Sequence, residues 1–548
     1  MSSFAALPTE PPGALEQSED TAYSQASQPD VIDELEATIS YDAEQAKDMR
    51  PTVVVLKPDY EVAIDLWLFK FNPKAEVWGF AGIYRDGALR VLELKGYYKR
   101  YRPDENSFYF IQSEENIIHE VITTRMLDSV KAYVEADRTH IKQGPYEATY
   151  EARSETLKRQ VHLLFNDRFL QSLATHTRPI LQDTKDRCFI PFKNGIVEVT
   201  AKGIRLLPYS MLDKSCVWRT HVIQRDFKPN APTHCHFATF HRNVSNDEPD
   251  RIKSMMSATG YLIHHYNSPS DGQAVILYDE EITDGKTPQG GTGKGVFCKA
   301  TAQFRPVAVI DGKKFDPNDR FCFQQVNLDT VIIQIDDPDR KKFSFERFYS
   351  VLTEGITVEK KNEHAFKIPL LESPKIVIST NSVLESEGSS NIRRQFVLEF
   401  SDYYKKRIKF GEKSNPIVDV HGCTFFTDDW DDDEWSRFDR YMVDCVHTYL
   451  KDGLQPYKSR NVAANRLKQI TGDDFFDWVT TCDEGAGLVP DREYQTAELF
   501  NDFKTRYAID DLKQRGFTNK IKAYAASKGL TYKVSPDKKI PKFSLLKQ

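Results

Sequence analysis

Three short apolar runs in the middle of the chain share one shape. Ala274-Val275-Ile276-Leu277-Tyr278, Val331-Ile332-Ile333-Gln334-Ile335 and Lys375-Ile376-Val377-Ile378 are rich in β-branched residues, and polar residues follow each of them. Runs of this length and composition predict buried strands in a sheet covered on both faces. A further apolar stretch, Gln395-Phe396-Val397-Leu398-Glu399-Phe400, comes after them. Helical spacing is predicted over 251–266 and 434–450, and Val296-Phe297-Cys298-Lys299-Ala300 reads as the start of a helix. Upstream, Thr52-Val53-Val54-Val55-Leu56 and Arg90-Val91-Leu92-Glu93-Leu94 read as strands, and 113–136 and 154–174 as helices. Ile190 to Val199 reads as two strands joined at Asn194-Gly195. Residues 225–250 are polar and rich in Pro and Asn, which predicts a linker. The end of the chain, 470–548, is expected to be small and mostly helical. No internal repeat is visible.

Between the first two runs lies Pro288-Gln289-Gly290-Gly291-Thr292-Gly293-Lys294-Gly295. Glycines here let backbone N–H groups wrap an anion, and Lys294 supplies a cation for β- and γ-phosphates at the start of a helix. The spacing G-x-x-x-x-G-K-[ST] wants Gly at 288 and a hydroxyl at 295, where the chain has Pro288 and Gly295. A glycine-rich run is also a common surface turn. Its neighbours have to decide.

Those neighbours are polar groups at strand tips. Asp336 and Asp337 end the second run, as a nucleotide site requires opposite its phosphate loop. The first would hold Mg²⁺, and the second would hold the metal too or orient the attacking water. Asn381 sits at the tip of the third run, within reach of a γ-phosphate or lytic water. Arg393 and Arg394 precede Gln395, where an arginine stabilises charge in phosphoryl transfer from a neighbouring subunit. Glu354 to Phe366 reads as a hairpin. Its Lys360 and Lys361 suit a phosphate backbone, and His364 or Phe366 a base or sugar.

Charge and composition narrow the class. Net charge is −7, but residues 1–46 hold ten Asp or Glu and no Lys or Arg, which predicts a disordered acidic tail over 1–48. Residues 501–548 hold 12 Lys and Arg against four Asp and Glu, a candidate nucleic-acid surface or an ordinary solvated face. The eight cysteines form no C-x-x-C pair, which fits a reducing cytoplasm rather than a disulfide framework. No apolar run has the length of a membrane span, and no secretory signal is read at the N-terminus. His234-Cys235-His236, with His241, resembles a metal cluster only superficially, since adjacent strand residues point to opposite faces. The acids from Asp428 to Glu434 read better as a helix start than as a metal site.

Glycine loop, acid-tipped strand, lysine hairpin, Asn-tipped strand and arginine pair follow one another in this order. In it the chain resembles the superfamily 3 helicases, in the branch of poxvirus-type and phage primase–helicase ATPases. The resemblance covers most of 185–450 and includes Ile190 to Val199 and Thr259-Gly260-Tyr261-Leu262. It implies an α/β fold with an AAA+-like P-loop ATPase core over 246–455. An α+β adaptor or oligomerisation region over 49–245 would precede it, and a basic, winged-helix-like domain over 470–548 would follow. It further implies an ATP-hydrolysing DNA helicase of phage or mobile-element replication, acting in the bacterial cytoplasm. Such a protein forms a homo-oligomeric ring, commonly a hexamer, and translocates on single-stranded DNA beside a separate primase or polymerase.

By position, ATP would lie on Gly290, Gly291, Thr292, Gly293, Lys294 and Gly295, and Mg²⁺ on Asp336 and Asp337. Asn381 would be the sensor, Arg393 or Arg394 the finger, and Lys360, Lys361 and His364 the DNA contacts. Gly295 departs from the usual hydroxyl, and Asp337 is shorter than the Glu that related ATPases often use. A slowly hydrolysing DNA-binding replication initiator, or another ring motor such as a packaging ATPase, fits the same pattern.

Overall fold

A computed structural model describes residues 53–268, 270, 272–280, 290–316, 318–339, 343–381, 393–408, 415–457, 462–483, 488–509, 511–535 and 541–547. The acidic tail expected over 1–48 lies outside these, as do Pro288, Gln289, Asn391 and Ile392. The chain divides into two compact units. One holds Thr123–Ser172 and the described part of Met1–Lys95; the other holds Gly96–Ile122 and Leu173–Gln548.

In the first unit, strands Val53–Lys57, Glu61–Ile64, Trp67–Asn72 and Val77–Ile83 form an antiparallel sheet in chain order. Helices Arg85–Leu94, Thr123–Ala136 and Tyr150–Leu164 belong to the same unit, with the strand pair Ile141–Gln143 and Tyr146–Ala148. Arg90–Leu94, expected as a strand, is the second half of a helix. Its Val91 and Leu92 are buried with Gly87 and Ala88, a helical stripe. A five-residue apolar window fits either period, so the extra turn upstream decides.

The second unit is built on a five-stranded, fully parallel sheet. We label its strands β1 (Ala274–Asp279), β2 (Val307–Asp311), β3 (Ile332–Asp336), β4 (Lys375–Ser379) and β5 (Gln395–Phe400). Their order is β2-β3-β4-β1-β5. The run that opens β1 is buried at every position, as both faces are covered. Val275 and Leu277 join Phe297, Phe304 and Phe240 on one side. Ala274, Ile276 and Tyr278 join Phe315, Phe348 and Leu352 on the other. The strand period of two thus feeds two separate apolar layers from one sequence.

Helix Pro249–Ile263 packs on helix Asp432–Asp452. A Cβ on Gly260 would fall 2.1 Å from the carbonyl oxygen of Cys445, so glycine sets how closely they approach. Asp431 caps the second helix, accepting from the Glu434 amide at 2.7 Å. The expected linker over 225–250 contains a core helix instead, His236–Val244, with Phe237, Phe240, His241 and Val244 buried. Flanking Pro and Asn residues masked a helical stripe at i, i+3 and i+7. At 113–122, strands Phe108–Glu114 and Ile117–Glu120 replace the first part of the helix expected over 113–136. Glu115 and Asn116 turn between them at φ +47° and +70°. Both central residues are left-handed, the hairpin turn that Asn-Gly usually signals.

The hairpin expected at Ile190 to Val199 is present. Strands Arg187–Phe192 and Gly195–Thr200 pair antiparallel and continue into Gly203–Leu207. In the last part of the chain, helices Val462–Thr471, Asp473–Asp483, Thr496–Tyr507 and Gln514–Ser527 surround Phe475, Trp478, Phe503 and Phe517. Strands Glu493–Gln495, Lys542–Lys547 and Leu530–Val534 form a sheet in that order. Among the described residues no helix is long and apolar enough to cross a membrane.

Candidate functional site

The carboxyl ends of the five strands set up the site. β1 is the strand at which the chain reverses direction across the sheet: it leaves for β2 at the far edge, returns through β3 and β4, and passes to β5 on the other side. Ligands of open parallel sheets bind beyond the carboxyl ends of the strands at such a switch point. The glycine loop follows β1 and runs into helix Lys294–Ala302.

Two glycines of the loop are required by their backbone conformation, and Gly293 by space as well. Gly291 and Gly293 have φ of +94° and +108°, where side chains are strained. A Cβ on Gly291 would fall 2.6 Å from Cδ1 of Ile408, and one on Gly293 2.7 Å from Cε2 of Phe240. Gly290 and Gly295 are different. A Cβ on either meets nothing within 4 Å. The helix begins with N–H groups that have no intrahelical acceptor and with the positive end of its dipole, the features that hold an anion.

Lys294 is the centre of the site. Its ammonium lies 2.6 Å from Oδ1 of Asp279 and donates to Oδ1 of Asn381 at 2.7 Å. Thr292 donates to the same Asp279 oxygen at 2.5 Å. Burial pushes the Lys294 pKa below the ordinary lysine value, and the carboxylates of Asp279, Asp337 and Asp336 oppose that shift. An ammonium this enclosed keeps its proton through its acidic neighbours.

Asp336 ends β3 and accepts a hydrogen bond from the hydroxyl of Ser379 at the end of β4. Asp337 turns the chain at φ +49°, its amide donates to the Ser379 carbonyl at 2.9 Å, and its carboxylate lies 3.1 Å from the Lys313 ammonium. Gly312 beside β3 is needed for fit, since a Cβ there would fall 2.4 Å from the Asp336 carbonyl oxygen.

Lys294, Asp336, Asp337 and Asn381 are therefore brought to one edge of the sheet. Arg393 and Arg394 are not. They precede β5, and β5 runs parallel to β1 from Ala274↔Gln395 to Asp279↔Phe400. Five strand steps, roughly 17 Å, already separate Gln395 from Phe400 at the loop edge, and the arginines lie beyond Gln395. Arg394 stacks on Tyr349 at 4.5 Å, and the Arg393 carbonyl accepts from Gln273 at 2.8 Å.

The expected hairpin is present as strands Ile356–Val358 and Phe366–Ile368. Lys361 and His364 are exposed in its turn, and Lys360 is half-buried and donates to Asn327. Phe366 does not suit a base contact. It is 2% exposed, under the Arg102 guanidinium at 4.2 Å from its ring. The strand's alternation turns Phe366 inward with Ile368.

Sequence reasoning missed Asp279, Ser379 and Lys313. The signal for Asp279 was the one that found Asp336, an acid closing an apolar run. Ser379 stands two residues before Asn381 on the same tip. Lys313 follows β2, whose alternating pattern was not recognised as a strand.

Carboxylates at a strand end suit Mg²⁺, which keeps several waters and needs few protein oxygens. Among the described residues, no group of three or more His, Cys, Asp or Glu is placed to hold a metal ion. The fit therefore rests on Asp336 and Asp337 with waters and substrate oxygens.

No protein-family model matches the chain, and no curated protein matches it. Among solved structures, it is similar to the A form apo structure of the C-terminal region of NrS-1. The TM-score is 0.40 and the identity 12%, over 84% of this chain and 99% of that one. A second A form apo structure of that region gives a TM-score of 0.37 at 11% identity, over 84% and 98%. Similarity at this level assigns neither topology nor activity.

Proposed function

We propose that the chain is a ring-forming ATPase with an AAA+-like P-loop core that moves on single-stranded DNA, a replicative helicase. One observation carries the reading: a lysine at a helix N-terminus, behind two obligatory glycines, faces acids and an amide at the switch point of a parallel sheet. Loop amides of 290–295 and Lys294 bind the phosphates, and Asn381 reports on the terminal one. Asp336 and Asp337 would hold Mg²⁺, which supplies charge neutralisation on the phosphate oxygens. Ser379 fixes the carboxylate of Asp336 through its hydrogen bond, so the acid is oriented before substrate arrives.

Arg393 and Arg394 stand about a strand's length from their own loop. As phosphoryl-transfer groups they serve a neighbouring subunit, which supports the ring. Lys361 and His364, exposed on the hairpin, meet DNA with Lys360. The test is strand displacement beside ATP hydrolysis. Lys360→Ala with Lys361→Ala abolishes unwinding and leaves basal hydrolysis intact. Unwinding at the wild-type rate in that variant contradicts the hairpin's role.

One observation favours the initiator as a second reading. Helix Gln514–Ser527 exposes Arg515, Asn519 and Lys522 at i, i+4 and i+7, before a strand pair that carries exposed Lys533. Arg, Lys and Asn on one helix face suit major-groove contacts. Tight, sequence-selective duplex binding that Arg515→Ala abolishes, with no DNA-stimulated hydrolysis, would support it.

A further inference from the structure

Asp279 is a puzzle in a site built for an anion. It closes β1 on the face of Val275 and Leu277, the face against which helix Lys294–Ala302 packs Phe297 and Ala300. Its side chain is 2% exposed. A single oxygen, Oδ1, takes both the ammonium of Lys294 at 2.6 Å and the hydroxyl of Thr292 at 2.5 Å. An ammonium and a loop hydroxyl are the donors that a phosphate oxygen would use. A fixed carboxylate there repels a polyphosphate and occupies its lysine.

Resting on the nucleotide-site reading above, we propose that Asp279 is an internal stand-in for phosphate, a latch that holds Lys294 and Thr292 until a nucleoside triphosphate displaces it. Lys294 is 11% exposed, and an enclosed ammonium without a partner is costly, so the latch keeps the empty loop folded. The same pair must be broken when substrate enters, so Asp279 lowers triphosphate affinity and sharpens its selectivity. Only a ligand with several phosphate charges recovers what the carboxylate gave. Asn381 keeps Lys294 pointed into the loop during the exchange, since its Oδ1 accepts from the same ammonium.

The test is binding of a fluorescent ATP analogue to the full chain, with Mg²⁺ and separately with EDTA. Inorganic tripolyphosphate and adenosine serve as competitors. Asp279→Asn keeps the shape and removes the charge; Asp279→Ser serves if the asparagine does not fold. The latch predicts that either variant binds the analogue roughly tenfold more tightly, about 1.4 kcal/mol, in both conditions. Tripolyphosphate gains equally and adenosine gains nothing. Affinity that is unchanged or weaker in the variant, including a loss seen only with Mg²⁺, overturns the latch while wild-type binding leaves the nucleotide site standing. Failure of the wild type to bind any triphosphate overturns both.

Discussion

Lys294 and Asn381 are joined by a hydrogen bond of 2.7 Å, though 87 residues separate them in the chain. One opens the helix after the glycine loop, and the other stands just beyond β4, the strand beside β1. The bond ties the lysine proposed to bind phosphate to the strand tip proposed to sense the terminal one. Replacing Asn381 with Ala removes the acceptor of Lys294 and the proposed sensor together. The expected result is ATP binding within about threefold of wild type and hydrolysis reduced roughly 100-fold, the scale of losing one oriented polar group at a reacting phosphate. A kcat/KM series with separate binding measurements checks it.

The loop glycines divide into two kinds, and substitution should separate them. Gly293→Ala places a Cβ against Phe240 at a positive φ, and should cost about 2–4 kcal/mol as left-handed strain and overpacking combine. Gly295→Ser enters open space on the first turn of a helix, where serine is well tolerated. It should fold with an unchanged melting temperature and restore the hydroxyl that phosphate loops usually carry. Tighter Mg²⁺ dependence of hydrolysis in Gly295→Ser is the expected gain. Thermal melts and a Mg²⁺ titration of both variants measure the contrast.

A buried histidine makes the fold acid-sensitive. His241 is fully buried, its Nδ1 pairs with the Tyr441 hydroxyl at 2.8 Å, and burial pushes its pKa down to about 3. Between pH 6.5 and about 3 the unfolded chain binds a proton at this position that the folded chain refuses. Stability contributed by neutral His241 is therefore complete above pH 6.5 and is lost as pH falls toward 3. His241→Phe removes that proton. Its melting temperature should fall less steeply than that of wild type between pH 6.5 and 4.5, even if it starts lower. A parallel slope would show that His241 is not a source of the acid response.

Much of the sheet was legible because parallel strands buried on both faces read as continuous apolar runs, and β1, β3 and β4 each fall on one. β2 was not, because its Val307-Ala308-Val309-Ile310 sits half-exposed at the sheet edge, with Val309 53% exposed. Strand-tip acids pointed to Asp336 and Asp337 but not to Asp279, whose contacts with Lys294 and Thr292 come from the far end of the loop. The side of the sheet on which Arg393 and Arg394 stand needs strand direction, which spacing alone does not carry. The helix at 236–244 was hidden for a different reason. It is short, and local composition outweighed its period.

Hydrolysis of ATP in Mg²⁺, measured with and without single-stranded DNA, separates a DNA-driven motor from a loop that merely resembles one. Wild-type turnover should be stimulated several-fold by DNA and abolished by Lys294→Ala. Absence of DNA-stimulated turnover in the wild type, or turnover that survives Lys294→Ala, would contradict the motor.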